Sequence, residues 1–392
     1  MAKPKNIIQP TPEQLKLIAI FQRAENDIIK TIGYKLRNDF VDYAEQAVLR
    51  RVQIILQKMI GDAWQYTPDM IYSVFKDGVY NTVNFKDFSG YKNAFTLTST
   101  QTAVVERLVE NLMGNIVQMA IDTKKNIYQA YREAERIAGA ALRPNPIIGR
   151  LNPDVYRTAG LEAVAHGKAT GGGVVSMDKE FINIMQQRGI VGFTDKGGKN
   201  WTLANYANMA TRTTSAQAVH AGVLYADPEH DLYRITSHFS ACPLCAKYEG
   251  RVYSRSGKDP RFPPLATAFG KIDPNGPDDI SNTYLNIHPN CLHRIVRFSE
   301  GAHSKRDLEK IERESNEPFN VDRQSAASRE AYRKKVAGRA ELMREYREWQ
   351  KMMMAGTGPR TFATYQKHKI QGSATYQGWR DDLKAAKPMS DI

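Results

Sequence analysis

The chain has 392 residues, 42% of them apolar, and a formal net charge of +13, which suits two or three domains with real cores. The excess of Lys and Arg points to an acidic partner, either nucleic acid or an acidic protein surface. No apolar run approaches the ~18 residues of a membrane span and no secretory signal is evident, so the expected setting is a reducing cytoplasm or a particle assembled there.

Residues 1–10 read as an extended tail. Thr11-Pro12-Glu13-Gln14 is a capping box with proline at the first helical position, which predicts a helix start. Ile28, Ile32, Leu36 and Phe40 keep helical spacing, and Val48, Val52, Leu56 and Ile60 extend it to an expected stop at Gly61. Thr67-Pro68-Asp69 predicts a second start, running through Ile71 and Phe75 to Gly78. Phe85, Phe88, Tyr91 and Phe95 read as a packed loop. Ser99 or Thr100 caps a long helix with Val104, Leu108, Leu112 and Ile116 on one stripe, ending before Pro144 and Pro146. Residues 11–142 therefore read as a helical domain.

A shorter helix follows Asn152-Pro153-Asp154, and another starts at Asp178 and ends near Gly189. Glycines 171–173 lack the Walker spacing and read as a flexible turn. Residues 201–221 read as a helix. Residues 232–235, 251–254 and 293–298 read as strands of a small sheet.

All three cysteines of the chain fall around that sheet, in Cys242-x-x-Cys245 and in His288-Pro289-Asn290-Cys291-x-His293. A C-x-x-C turn aims two sulfurs at one centre, and zinc favours four thiolate or imidazole ligands in a tetrahedron. Cys242, Cys245 and Cys291 supply three. His293 is a fourth candidate because positions 291 and 293 of a strand face the same side. A His288-x-x-Cys291 turn serves equally well, and His238 is a weaker candidate or an outer partner. An odd cysteine count in a reducing setting argues against a disulfide. The deaminase pattern needs His-x-Glu, which does not occur in the chain, so a structural role for the metal is favoured over a catalytic one. Forty-five residues separate Cys245 from Cys291, with many Pro, Gly and Asp. This excursion is expected to bury little of its own apolar surface and to depend on the crosslink at its base.

Residues 301–392 are polar and helical in character. Between 321 and 380 thirteen Lys or Arg oppose five Asp or Glu. A helix is expected over 329–354, ended at Gly356-Thr-Gly-Pro359, and a mobile end after 370. Tyr332, Tyr346, Trp349, Tyr365, Tyr376 and Trp379 are interleaved with the basic residues. That composition fits either DNA or RNA contact or a solvated helix packed on the rest of the chain.

Five features occur in one order: Phe193-x-Asp195-x-x-Gly198-x-x-Trp201, Tyr206-x-x-Met209-x-x-Arg212-Thr-Thr, Ser237-His238 before the C-x-x-C, Gly250-Arg-Val-Tyr-Ser254 after it, and His288-Pro-Asn-Cys-x-His293. In this the chain resembles the phage minor capsid protein 2 family, over about residues 185–300. The resemblance implies a low-copy component of a tailed-phage virion, in the capsid interior or at the portal vertex. It would act in head assembly in the host cytoplasm, touching the portal protein or the major capsid protein and packaged double-stranded DNA. It implies no established enzymatic activity. A metal-dependent nuclease of the HNH type is the competing reading. It is disfavoured because the histidines adjoin the thiols and no separate acidic cluster offers a magnesium site. The expected fold class is α+β. A mainly helical domain spans 1–150, a small metal-stapled β-containing domain 151–300, and a basic helical region 301–392.

Overall fold

The computed structural model describes residues 12–36, 44–80, 96–141, 192–194, 200–320, 323–354, 358–359 and 361–385. The expected tail at 1–10, the aromatic loop at 85–95 and the elements between 152 and 189 lie outside these residues. The described part is mostly helical with a small antiparallel sheet, an α+β arrangement.

Helix α1 (Pro12–Leu36) begins at the predicted proline. Helix α2 (Ala44–Tyr80) runs straight through Gly61 and Pro68, where the sequence predicts a stop and a fresh start. The buried stripe decides this. Val52, Leu56, Met59, Ala63, Thr67, Met70, Ile71, Val74 and Phe75 recur at three- and four-residue steps across both positions. Gly61 stands in open space, where glycine costs a helix only about 1 kcal/mol. Pro68 is exposed, so the carbonyl it cannot serve, that of the exposed Trp64, faces solvent. Thr67 donates its hydroxyl to the Ala63 carbonyl at 2.8 Å. Helix α3 (Ser99–Ala141) ends before Pro144 and is capped one residue ahead of the predicted Ser99 or Thr100: Thr98 accepts from the Gln101 N–H, and the Gln101 side chain accepts from the Thr98 N–H.

Strands β1 (Gly192–Thr194) and β2 (Asn200–Thr202) form a two-stranded ladder with Phe193 opposite Trp201. Helix α4 (Leu203–Ala226) therefore begins two residues later than its pattern predicts, and runs further. Trp201 belongs to the strand. Next come β3 (Leu232–Ile235), β4 (Val252–Ser254), the one-turn helix α5 (Leu265–Phe269) and β5 (Ile295–Arg297). The sheet order is β4-β3-β5, all antiparallel, with Tyr233 opposite both Tyr253 and Arg297. Helix α6 (Lys305–Ser315) is capped reciprocally: Ser304 accepts from the Asp307 N–H and donates its hydroxyl to the Asp307 carboxylate. Helices α7 (Ala326–Met354), α8 (Phe362–Ile370) and α9 (Ala374–Ala385) complete the chain.

The chain divides into two compact units. The first comprises Met1–Ala19, Asp62–Ile116 and Ala207–Val336; the second comprises Ile20–Gly61, Val117–Tyr206 and Ala337–Ile392. Within the first, α2 and α4 cross at Gly78 and Gly222, so closely that no Cβ fits at either position. The sheet packs Leu232, Val252, Phe262 and Phe298 into one cluster, closed by Leu308 and Ile311 of α6. The excursion between Cys245 and Cys291 is better packed than its composition predicts. Phe262, Leu265, Phe269 and Ile280 are all buried, and Asn282 ties the 273–277 turn through its side-chain amide. Its prolines and glycines shape turns around those anchors instead of leaving a bare loop.

Within the second unit, buried Glu25 caps α4 by accepting from the Ala204 N–H at 3.1 Å, placing a carboxylate at a helix N-terminus. Five of the six aromatic residues singled out in the C-terminal region, all but Tyr332, belong to one core. Trp349, Met352, Tyr365 and Tyr376 are buried, with Tyr346, Phe362, Trp379 and Leu383 packed against them. Glu348 accepts from the hydroxyls of Tyr365 and Tyr376 and pairs with Lys369 and Arg380. These rings are thus unavailable as stacking platforms for bases. Their interleaving with Lys and Arg is the alternation of an amphipathic core. The expected mobile end after 370 is instead a helix through Ala385, anchored by Tyr376.

Candidate metal centre

The sheet brings the cysteine segments to one end. The β3–β4 connection is closed at its base by the Gly250 N–H donating to the Ile235 carbonyl and the Ile235 N–H to the Arg251 carbonyl. The approach to β5 runs alongside it, with the Thr236 N–H donating to the Arg294 carbonyl and the Arg294 N–H to the Thr236 hydroxyl. Each segment then makes a tight turn. In the first, the Ala246 N–H donates to the Cys242 carbonyl at 3.0 Å and the Cys245 N–H to the Cys242 sulfur at 3.3 Å. In the second, the Cys291 N–H donates to the His288 carbonyl at 3.1 Å. Pro289 and Asn290 occupy the middle of that turn, and Asn290 has φ +61°, the pattern of a type II turn.

The five sequence-predicted residues meet in two overlapping groups that can hold a metal ion: Cys242, Cys245 and His288, and Cys245, Cys291 and His293. His288 Nε2 is 2.9 Å from the Cys245 sulfur and 3.2 Å from that of Cys242. The Cys245 and Cys291 sulfurs are 3.6 Å apart, and His293 Nδ1 is 3.5 Å from Cys291. Cys245, Cys291 and His293 are buried, while Cys242 and His288 are half-buried. His238 joins neither group. Its ring stacks on His293 with centroids 4.3 Å apart.

Crowding three sulfurs polarises their ionisation. The hydrogen bond with Cys245 pulls Cys242 down to about 3, helped by His288. Cys291 is likewise held at about 4 by Cys245, with His293 adding to it. Cys245, between the two, is pushed up because it supplies the shared proton. His288 rises to about 8 through its bond to Cys242, against burial. Burial alone lowers His293, but Cys291 and Glu249 outweigh it and raise the group to about 9. A bound cation replaces these protons as the counter-charge of the thiolates.

Two residues of the surroundings escape the sequence reading. Glu249 Oε2 accepts from His293 Nε2 at 2.9 Å and from the His238 N–H at 3.1 Å. An acidic residue four places after Cys245 was the available signal. His220 of α4 had no signal, being one histidine on a helix. Its Nδ1 lies 2.8 Å from the Leu285 carbonyl and its Nε2 3.0 Å from the His293 carbonyl. With Thr213, whose hydroxyl accepts from the Asn290 N–H, and Gln217, which donates to the Tyr284 carbonyl, it fastens the second turn to one face of α4.

Complete burial, and then Arg294, lower His220 to about 4, although both carbonyls favour its charged form. Desolvation is the larger cause, and the neighbouring Arg294 cation adds to it, so together they outweigh the two carbonyls. The unfolded chain therefore binds a proton before the native one does. The stabilisation is complete above pH 6.5 and is lost as pH falls toward 4, by about 3 kcal/mol. His220→Gln is expected to flatten the pH dependence of the urea midpoint across that window at saturating metal. An unchanged profile would exclude His220 as its source.

Among the described residues no helix is long and apolar enough to cross a membrane. No curated protein and no solved structure matches the chain. Residues 10–355 match the family model of phage minor capsid protein 2, which covers most of the helical elements as well as both cysteine turns. On that match the chain belongs to the phage minor capsid protein 2 family, structural proteins of the phage head and thus of the virion.

Proposed function

We propose that the protein is a low-copy, non-enzymatic component of a tailed-phage head, set near the portal and stapled by a structural zinc ion. Its helical N-terminal region docks the portal or major capsid protein, and its basic C-terminal region faces packaged DNA. The observation that carries this reading is family membership over 10–355. The zinc assignment is supported by a donor set of thiols and imidazoles alone. Tetrahedral zinc with bonds of about 2.3 Å to sulfur and 2.0–2.1 Å to nitrogen needs ligand separations of roughly 3.5–3.8 Å. The observed contacts of 2.9–3.6 Å lie within about 0.6 Å of these values, and Cys291, which shares no group with Cys242 and His288, must close further on them when the ion binds. The burial of Cys245 and Cys291 favours a structural over a catalytic ion.

Quantitative mass spectrometry of purified particles and of DNA-free precursor heads tests the central claim. A few copies in both are expected. Absence from both, with the protein free in the lysate, overturns it and brings the DNA-acting enzyme forward.

For DNA, the support is α7. Residues 333–342 are exposed on every face of the helix, among them Arg333, Lys334 and Arg339. Replacing these three by Gln is expected to reduce the slope of log affinity against log salt for duplex DNA by about 2 to 3. An unchanged slope removes DNA contact from the proposal.

A further inference from the structure

We propose that His288, and not His293, completes the metal site, so that the ligands are Cys242, Cys245, Cys291 and His288, while His293 positions the Cys291 sulfur from outside. This assignment rests on the metal proposed above and names its coordination shell.

The first argument is architectural. Cys242-x-x-Cys245 and His288-x-x-Cys291 are two tight turns facing each other, each closed by its own backbone hydrogen bond. Each thereby offers the side chains at its two ends to a common centre. The second turn owes its shape to Pro289 and to Asn290 in the left-handed region, so its two ends are pre-set before any metal binds.

The second argument is the proton inventory. His288 Nδ1 lies 2.6 Å from the Pro289 carbonyl, an acceptor, so Nδ1 carries the hydrogen. Its Nε2 lies between two sulfurs at 2.9 and 3.2 Å, and a cation that replaces the proton shared there meets the Nε2 lone pair. Two sulfur lone-pair sets and a nitrogen lone pair converge there, and a cation resolves that convergence.

His293 is engaged differently. Its Nε2 serves the Glu249 carboxylate, and the same carboxylate oxygen accepts from the His238 backbone. The His238 ring covers one face of the imidazole. Its Nδ1 is 3.5 Å from a single sulfur, that of Cys291, a spacing that suits an N–H donated to a thiolate. A clamped ring of this kind restrains a buried arm of the site. Partners outside the ligand shell commonly contribute ten- to a hundred-fold in metal affinity.

Cobalt(II) substitution of the full-length protein reads the assignment directly, because its visible spectrum counts thiolate ligands. His288→Cys is expected to move the d–d bands to longer wavelength and to add a fourth thiolate-to-cobalt charge-transfer increment. His293→Cys is expected to leave the spectrum of the unsubstituted protein in place. His293→Gln is expected to keep one equivalent of cobalt with unshifted bands, bound ten- to a hundred-fold more weakly. A four-thiolate spectrum in His293→Cys overturns the assignment, whether or not His288→Cys folds. Failure of the unsubstituted protein to take up zinc or cobalt overturns the metal itself, which is a different outcome.

Discussion

Chelation of the metal, or Cys245→Ser, is expected to abolish amide-exchange protection over residues 236–250 and 284–294. Cys245 belongs to both candidate groups and is 2% exposed, so its loss is expected to be more damaging than that of half-buried Cys242. Structural zinc contributes about 10–16 kcal/mol of folding free energy in small finger peptides. That is the order of the whole stability of a domain, about 5–15 kcal/mol. The response is expected to be graded along the chain. The segment from Phe262 to Ile280 has buried apolar anchors and the Asn282 amide network, and should keep part of its protection. Hydrogen exchange by mass spectrometry, with zinc measured in the same samples, gives the map. Full protection of both turns in metal-free protein would mean that apolar packing alone closes them.

Gly78→Ala and Gly222→Ala are expected to destabilise the protein by about 3 kcal/mol each, the upper part of the range for overpacking. A Cβ at Gly78 would stand 2.3 Å from the Val219 carbonyl oxygen, and one at Gly222 would stand 2.1 Å from that of Phe75. Both obstacles are helix backbone, which cannot rotate away, so α2 and α4 must separate. Separation forced by one methyl makes room for the other, and the double variant should cost less than the sum. Gly61→Ala and Gly114→Ala supply the control. Neither position has any atom within 4 Å, and relief of glycine's helix penalty should stabilise by up to about 1 kcal/mol. Urea unfolding of the four variants checks the contrast. Equal effects at crossing and open glycines would remove the close approach as the cause.

The same contrast marks where the sequence speaks and where it falls silent. The cysteine turns were legible because metal-binding residues at fixed spacing repeat a local geometry. The strands at 232–235, 252–254 and 295–297 were legible from short β-branched and aromatic runs beside turns. Pro12 and the Ser/Thr run at 98–100 announced helix starts because capping is local chemistry, although the cap of α3 is Thr98 and not Ser99. Gly61 and Pro68 misled, since a local breaker weighs less than a buried stripe that continues on both sides. Gly78 reads as a stop but stays helical in α2, which runs to Tyr80, and its contact with Gly222 is non-local and left no local trace. Trp349, Tyr365 and Tyr376 were ambiguous because a nucleic-acid platform and a small aromatic core call for the same residues, and only burial separates them. Which histidine faces the sulfurs depends on a turn conformation and on Glu249, neither of which spacing reports.

Arg251 gives the central sheet an order of completion. Its guanidinium is buried, donating to the carbonyls of Ser315, Glu317 and Pro318 and lying over the Phe319 ring, while the Ser315 hydroxyl accepts from the Val252 N–H. Ser315 is synthesised sixty-four residues after Arg251. The carbonyls that receive Arg251 are therefore made after Cys242, Cys245, His288 and Cys291, Ser315 following Cys291 by 24 residues. Until those carbonyls are in place the Arg251 guanidinium lacks its acceptors, and closing the sheet behind β4 requires that cation to find them. A metal ion held as proposed above is expected to enter most readily before that closure, and the finished protein to exchange it more slowly than an incompletely folded one acquires it.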